Sequence, residues 1–390
     1  MILIKNAKIL SMTGQDIDNG YIVVSNGKID EIGSMENIQE KHYTEIIDAA
    51  GGYVLPGFID AHCHVGMWED AVGFEGADGN EVSDPITPQL RAIDAIYHSD
   101  RSFKEAREAG VTTVVTGPGS ANVIGGQFAA VKTYGRSIDE MTIKEPVAMK
   151  AALGENPKKV YSSKSKSPMT RMATAAIFRE TLIKARNYKQ AVYDNIDNDK
   201  NKKPDFDFKM ESLMKVVSGE MIMKTHAHRA DDILTAIRIA KEFGINMTLE
   251  HCTEGYLIKE ILAKEGYPVI LGPLLSDRSK IELKNSDIKG PGILSKAGIK
   301  VAIMTDHPVI PVQYLCLSAA MAAKAGMDEN DALKAITINA AQITGIDDRV
   351  GSLECGKDAD IVVFSNHPFD LKTHVVYTMI NGEIVYKAEV

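Results

Sequence analysis

The sequence predicts an α/β chain, a (β/α)8 TIM barrel with a small β-sandwich domain formed from the N- and C-terminal segments. Three observations carry this expectation. Short β-branched runs crowd both ends, the middle alternates apolar runs with amphipathic stretches, and metal-type side chains recur where several of those runs stop. Strand text that alternates with helical text indicates crossover connections and a parallel sheet.

At the N-terminus, residues 2–4, 7–10 and 21–25 are apolar or β-branched runs, and Asn26-Gly27-Lys28 is a hairpin signal leading into 29–32. The C-terminus repeats the pattern, with an apolar run over 359–364 and a strand–turn–strand through Asn381-Gly382. One domain built from both termini, 1–54 with 350–390, accounts for this and leaves 55–349 as an inserted barrel. Inside it, apolar runs end at Asp60, Thr116, Thr133, Leu153, Thr225, Glu250, Leu271 and Thr305, the pattern of eight parallel strands. Amphipathic stretches at 89–109, 230–243, 256–264 and 292–297 supply helices between them. Residues 156–218 are too long for one βα connection. They are expected to form a helical insertion over the barrel mouth, a lid with a helix near 171–190 and a solvated polar loop around Lys200 to Lys203.

Composition narrows the function classes. A net charge of −9 with no basic stripe argues against nucleic acid and leaves a small-molecule substrate as the expected partner. Cys63, Cys252, Cys316 and Cys355 form no CxxC pair and do not read as a disulfide scaffold. The N-terminus lacks a signal peptide's apolar core, and no run reaches the ~18 apolar residues of a membrane helix. A cytoplasmic setting away from membranes is expected, and assembly as a homo-oligomer stays open.

The chemistry starts at Asp60-Ala61-His62-Cys63-His64, which follows the apolar run 53–59. Period-two spacing puts His62 and His64 on one face at the end of a strand, where two imidazoles can grip one divalent ion. Alone, an HxH pair is as readily two ordinary loop histidines. Recurrence changes the balance: His226 ends the run 221–225, His251 ends 246–250 and Asp306 ends 300–305. Sites of this fold collect at the C-terminal rim of the strands. Four imidazoles and a carboxylate there suit one or two divalent ions, zinc as the first expectation with iron or manganese as alternatives, and ligand softness does not choose among the three.

The text Leu55-Pro56-Gly57-Phe58-Ile59-Asp60-Ala61-His62-Cys63-His64 resembles the first-strand signature of the amidohydrolase superfamily. Residues 351–360 are similar to its C-terminal return strand, and 334–341 resemble the helix before that strand. The nearest branch in appearance is the imidazolonepropionase-related and prolidase-like one, and the resemblance covers nearly the whole chain apart from the insertion. It implies that His62 and His64 are first-strand ligands, that His226 and His251 are those of the fifth and sixth strands, and that Asp306 binds metal and acts as general base. Elementary chemistry agrees, since a bound ion lowers the pKa of water towards ~7 and a neighbouring carboxylate can carry its proton.

Relatives with two ions bridge them through a carboxylated lysine or a glutamate. Here Lys150 and Glu155 compete, with a single unbridged ion as the third option. An outward Lys150 would bury its charge under a helix, whereas an inward one, flanked on its face by Ala148 and Ala152, has room for carboxylation. His228 is a candidate substrate contact or second ligand. Arg229 is a candidate fork for a substrate carboxylate, with a salt bridge to Asp231 or Asp232 as the plainer alternative. Some deaminating relatives have a glutamate where Arg229 stands, which counts against that chemistry. Gly117-Pro118-Gly119 and Gly125-Gly126-Gln127 read as loops that approach the site closely, and Trp68 as a pocket wall or a loop anchor. The expected activity is hydrolysis of a non-peptide C–N bond in a cyclic amide, an N-acyl or a dipeptide-like compound. The alternatives are an imidazolonepropionase-like mononuclear ring opener or deaminase, and a non-enzymatic assembly relative.

Overall fold

Asn26-Gly27 and Asn381-Gly382 both take left-handed conformations (φ 50° and 76°, 50° and 78°), the requirement of a two-residue hairpin turn. They link the antiparallel pairs Ile17–Ser25 with Lys28–Ser34 and Val375–Ile380 with Glu383–Lys387. In this computed structural model, which describes residues 1–39, 41–69, 73–197 and 204–389, the terminal strands join in one eight-stranded sheet. The expectation was a sandwich of two sheets. Ile2–Ile9 is the seam that makes it one, pairing with Ile17–Ser25 on one side and with Glu45–Asp48 and then Tyr53–Pro56 on the other. Its apolar face, with Ile4, Ile9, Ile22, Val54 and Ile361, forms a separate core.

The second eight-stranded sheet is a TIM-like barrel. Its strands in order are Phe58–Cys63, Val111–Thr116, Ile124–Lys132, Thr142–Ala152, Ile222–Ala227, Met247–His251, Val269–Leu271 and Val301–Ile303. The first and eighth are joined by Asp60, whose Oδ2 accepts from the Thr305 hydroxyl at 2.5 Å and the Thr305 N–H at 3.2 Å. One expectation fails here, because the third strand runs antiparallel to both neighbours. The cause is connection length. A parallel return needs a crossover of about a dozen residues or more, whereas only residues 117–123 link the second strand to the third. The reversed strand carries its first residues, not its last, to the rim: Gly126 lies opposite Lys150. At the far end Lys132 is buried against Asp358 and Asp360 of the terminal sheet, at 3.0 and 2.6 Å.

Two helix expectations also change. The helix expected over 89–109 spans only Arg101–Glu108, because the Asp100 carboxylate caps it by accepting from the Ser102 N–H at 2.7 Å. The insertion is helical, with helices Glu155–Ser162, Arg171–Asp197 and Phe208–Val217, but among the described residues of 156–218 only Asn156 lines the cavity at the rim, where a lid was expected. Ala175, Phe178, Leu182 and Ala185 recur at helical spacing and pack with Leu213, Ile233 and Ala236 on the barrel's outer layer. The polar loop expected around Lys200 to Lys203 lies outside the described residues, as do Asn198 and Asp199. Among the described residues no helix is long and apolar enough to cross a membrane, and all four cysteines are free.

Candidate metal centre

The barrel register decides which side chains face inward together. Lys150 lies beside Lys224, and His226 beside Ala152 and Glu250. Neighbours in a parallel pair share a face, so Lys150, Lys224, His226, Thr248 and Glu250 point into the barrel with His62. His251 follows Glu250 and in a regular strand would point outward. A left-handed backbone at His251 (φ 67°) and Cys252 (φ 48°) turns it back to the rim, and Asp306 (φ 56°) is turned in the same way. Such residues are uncommon outside glycine and collect at functional sites.

Each imidazole but one is held by Nδ1. His62 Nδ1 donates to Glu250 Oε2 at 2.5 Å, His64 Nδ1 to the Gly117 carbonyl at 2.7 Å and His251 Nδ1 to the Gly272 carbonyl at 2.9 Å. His228 Nδ1 bonds the Thr253 hydroxyl at 2.7 Å. Donation from Nδ1 sets the tautomer and leaves Nε2 with a lone pair for an ion. Both ring nitrogens of His226 are buried without a hydrogen-bond partner, the state of a group made for a ligand. Asp306 Oδ1 lies 3.3 Å from His64 Nε2 and 3.7 Å from His62 Nε2, and Lys150 Nζ is 3.0 Å from His62 Nε2. Two groups could each hold an ion: His62, His251 and Asp306, and His226, His228 and His251, with ligand atoms within 4.8 Å of one another in each.

The electrostatics suit a cation. Burial, then the Lys150 and Lys224 ammonium groups, hold His62 well below the usual imidazole range. Burial and neighbouring imidazoles do the same for His228 and His251, and burial lowers His226. Neutral imidazoles are the ligand form. Burial works to raise Asp306, but its bond to His64 and the charges of His64, His62 and Lys150 keep it below the usual carboxylate range. Burial brings Lys150 down to about 8 against the pull of Glu250 and Asp306.

A cavity of about 320 Å³ opens onto this rim, walled by Trp68, Leu283 and Val309 and floored by His64, His226, His228, His251 and Asp306. Trp68 packs edge-on to His64, ring centres 4.9 Å apart, so it is a pocket wall. A larger hollow of about 510 Å³ near Tyr256 and Asp287 holds none of these groups. Gly117 and Gly119 reach the site as expected, but Gly125-Gly126-Gln127 is no loop: it lies in the third strand, Ile124–Lys132, where Gly126 pairs with Lys150 and a Cβ on it would lie 2.7 Å from the Leu90 carbonyl.

Of the sequence candidates, His62, His64, Lys150, His226, His228, His251 and Asp306 come together. Arg229 does not: its guanidinium forks onto Asp231 at 2.9 and 2.8 Å on the half-exposed surface, and it does not line the cavity. It begins the helix Ala230–Phe243, whose first turn offers that carboxylate within reach. Neither Glu155 nor Lys150 lines the cavity; Glu155 sits at the start of its own helix with Oε2 buried and unpartnered, whereas Lys150 is fully buried with Nζ 3.0 Å from His62 Nε2. Three contributors escaped the sequence reading. Lys224 lies two residues before His226, a spacing that could have flagged it. Glu250, which binds His62, Lys224 and the Thr248 hydroxyl together, was hidden by the irregular backbone after it. Glu282 comes from a loop with no periodic signal.

A model of the amidohydrolase family matches residues 207–385. Amidohydrolase tasK of Hapsidospora irregularis is 28% identical over 388 residues, 93% of this chain, although the chain spans only 39% of that protein. The imidazolonepropionase of Clostridium tetani is 26% identical, covering 95% of this chain and 91% of its own length. A prolidase solved with n-methylphosphonate-l-proline shares the fold, with a TM-score of 0.60 at 16% identity over 99% of this chain and 100% of its own. The structure of an amidohydrolase from Thermotoga maritima MSB8 superposes with a TM-score of 0.95 at 43% identity over 100% of both chains. Identity of that order along the full length of both, with the family match to the C-terminal part, means that this chain belongs to the amidohydrolase superfamily.

Proposed function

We propose that this protein is a metal-dependent hydrolase that cleaves a non-peptide C–N bond in a cyclic amide, an N-acyl or a dipeptide-like small molecule. One observation carries the reading: His64, His226, His251 and Asp306 converge from four strand ends at one cavity, with His62 and Lys150 buried directly beneath them, Lys150 Nζ 3.0 Å from His62 Nε2 and His62 Nε2 3.7 Å from Asp306. His62, His64 and Asp306 would hold one divalent ion and His226 and His251 a second, with carboxylated Lys150 between them. Zinc suits the mixed nitrogen and oxygen donors, with iron or manganese as alternatives. A bound ion supplies an acidified water and a polarised carbonyl. Asp306, ionised at neutral pH, takes the water's proton and returns it to the leaving nitrogen. Glu250 and Lys224 keep the His62 ring oriented, and Trp68 shields one side of the cavity from solvent.

A second reading is a mononuclear ring opener or deaminase, and the imidazolonepropionase and adenine deaminase names among the relatives favour it. Metal analysis with an assay panel of N-acyl amino acids, dipeptides, cyclic amides and aminopurines separates the two. Two equivalents per chain with amide cleavage supports the first. One equivalent with ring opening or ammonia release supports the second, and a protein that binds no divalent metal refutes both.

A further inference from the structure

Beside the expected ligands stands a carboxylate that neither the family resemblance nor the reading above uses. Glu282 lies in the short turn Ile281–Leu283 after the seventh strand and is 0% exposed. Its Oε2 accepts from the Glu155 N–H at 3.0 Å, while its Oε1 is buried with no hydrogen-bond partner. Among the described residues no lysine or arginine comes within 4.0 Å of it. Oε1 faces two imidazoles, 3.7 Å from His228 Nε2 and 3.9 Å from His226 Nε2. These separations are too long for hydrogen bonds. They suit two donors on a common ion, which stand about 3.4 Å apart at a tetrahedral angle and about 3.9 Å apart at a wider one for bonds of about 2.1 Å.

We infer that Glu282 and His228 are ligands of the second ion, completing with His226 and His251 a three-histidine, one-carboxylate position. The inference rests on the rim being a metal centre and adds two residues to it. Three independent features point the same way. The ligand atoms of His226, His228 and His251 already lie within 4.8 Å of one another. His228 and His251 are each pinned through Nδ1. A fully buried carboxylate oxygen without a partner is costly unless a cation meets it. His251 also belongs to the group with His62 and Asp306, so the two positions adjoin.

The test is zinc titration of the full-length protein, with bound metal counted by elemental analysis and affinity measured by chelator competition. The expected result is two equivalents in the wild type and one tightly held equivalent in Glu282→Gln and in His228→Ala, the other weakened at least ~10-fold. Cobalt substitution gives a second readout, since losing a carboxylate or imidazole ligand shifts the visible bands of one ion only. Two equivalents at wild-type affinity in both variants would overturn the inference and leave the hydrolase reading standing, as would a wild type that binds a single ion. A wild type that binds none overturns that reading itself. If Glu282→Gln does not fold, His228→Ala decides alone.

Discussion

Asp306 and Lys150 are the residues on which the proposed chemistry turns. Asp306 lies 3.3 Å from His64 Nε2 on a left-handed backbone, and its carboxyl is held below its usual range. Asp306→Asn keeps shape and volume but removes the proton carrier. It is expected to lower kcat by at least ~100-fold, the lower range for general acid–base catalysis, with circular dichroism unchanged, and near-wild-type turnover would refute the role. Lys150 and Glu155 make opposite predictions. If Lys150 bridges the ions, Lys150→Ala loses an equivalent of metal while Glu155→Ala keeps both, and the reverse result would transfer the role to Glu155. The sequence left this pair open because a five-residue offset fixes facing only in a regular strand, and the strand ends at Ala152.

Among the elements, the reversed third strand matters most. It ends in Lys132, which is 1% exposed and ion-paired to Asp358 and Asp360, while Asp358 also takes Lys28 at 2.5 Å and Arg349 at 2.8 Å. This cluster fastens the barrel's closed end to the terminal sheet. Breaking a buried pair from one side costs about 3–5 kcal/mol. Lys132→Ala should therefore lower the melting temperature by several degrees and leave metal stoichiometry unchanged, because the cluster lies at the end of the barrel away from the rim. A variant that melts like the wild type would show that the fastening contributes little. The strand's existence was legible in its apolar text, but its direction was not. Direction depends on how few residues remain for the return, which alternation of apolar and amphipathic text does not record.

For the whole molecule, the buried imidazoles set a pH dependence of the metal-free state. His62, His226, His228 and His251 all have pKa values below the usual 6.5 when folded. Below about pH 6.5 the unfolded chain therefore binds protons there that the folded one does not, so stability falls as pH falls. Asp60 works the other way, since burial lifts it to about 7 and the folded state gains a proton below that pH. Four imidazoles outweigh one carboxyl. The metal-free protein is expected to melt progressively lower between pH 7 and pH 5, and zinc to raise the melting point at pH 7 through preferential binding to the folded state. A melting temperature flat across that range would contradict the buried neutral histidines.

The class of fold and six ligand candidates, His62, His64, Lys150, His226, His251 and Asp306, are legible in the sequence alone, because strand ends and period-two spacing are local properties that a short stretch of text records. The sequence also marked His228, though not its place among the ligands. Tertiary contacts alone join the terminal strands in one sheet, reverse the third barrel strand and pack the helices Arg171–Asp197 and Phe208–Val217 on the barrel's outer layer. They likewise turn Arg229 to the surface and bring Glu250, Lys224 and Glu282 to the histidines. Each of these depends on contacts between segments far apart in the chain, or on a backbone turn that breaks strand alternation, and neither is written in local periodicity.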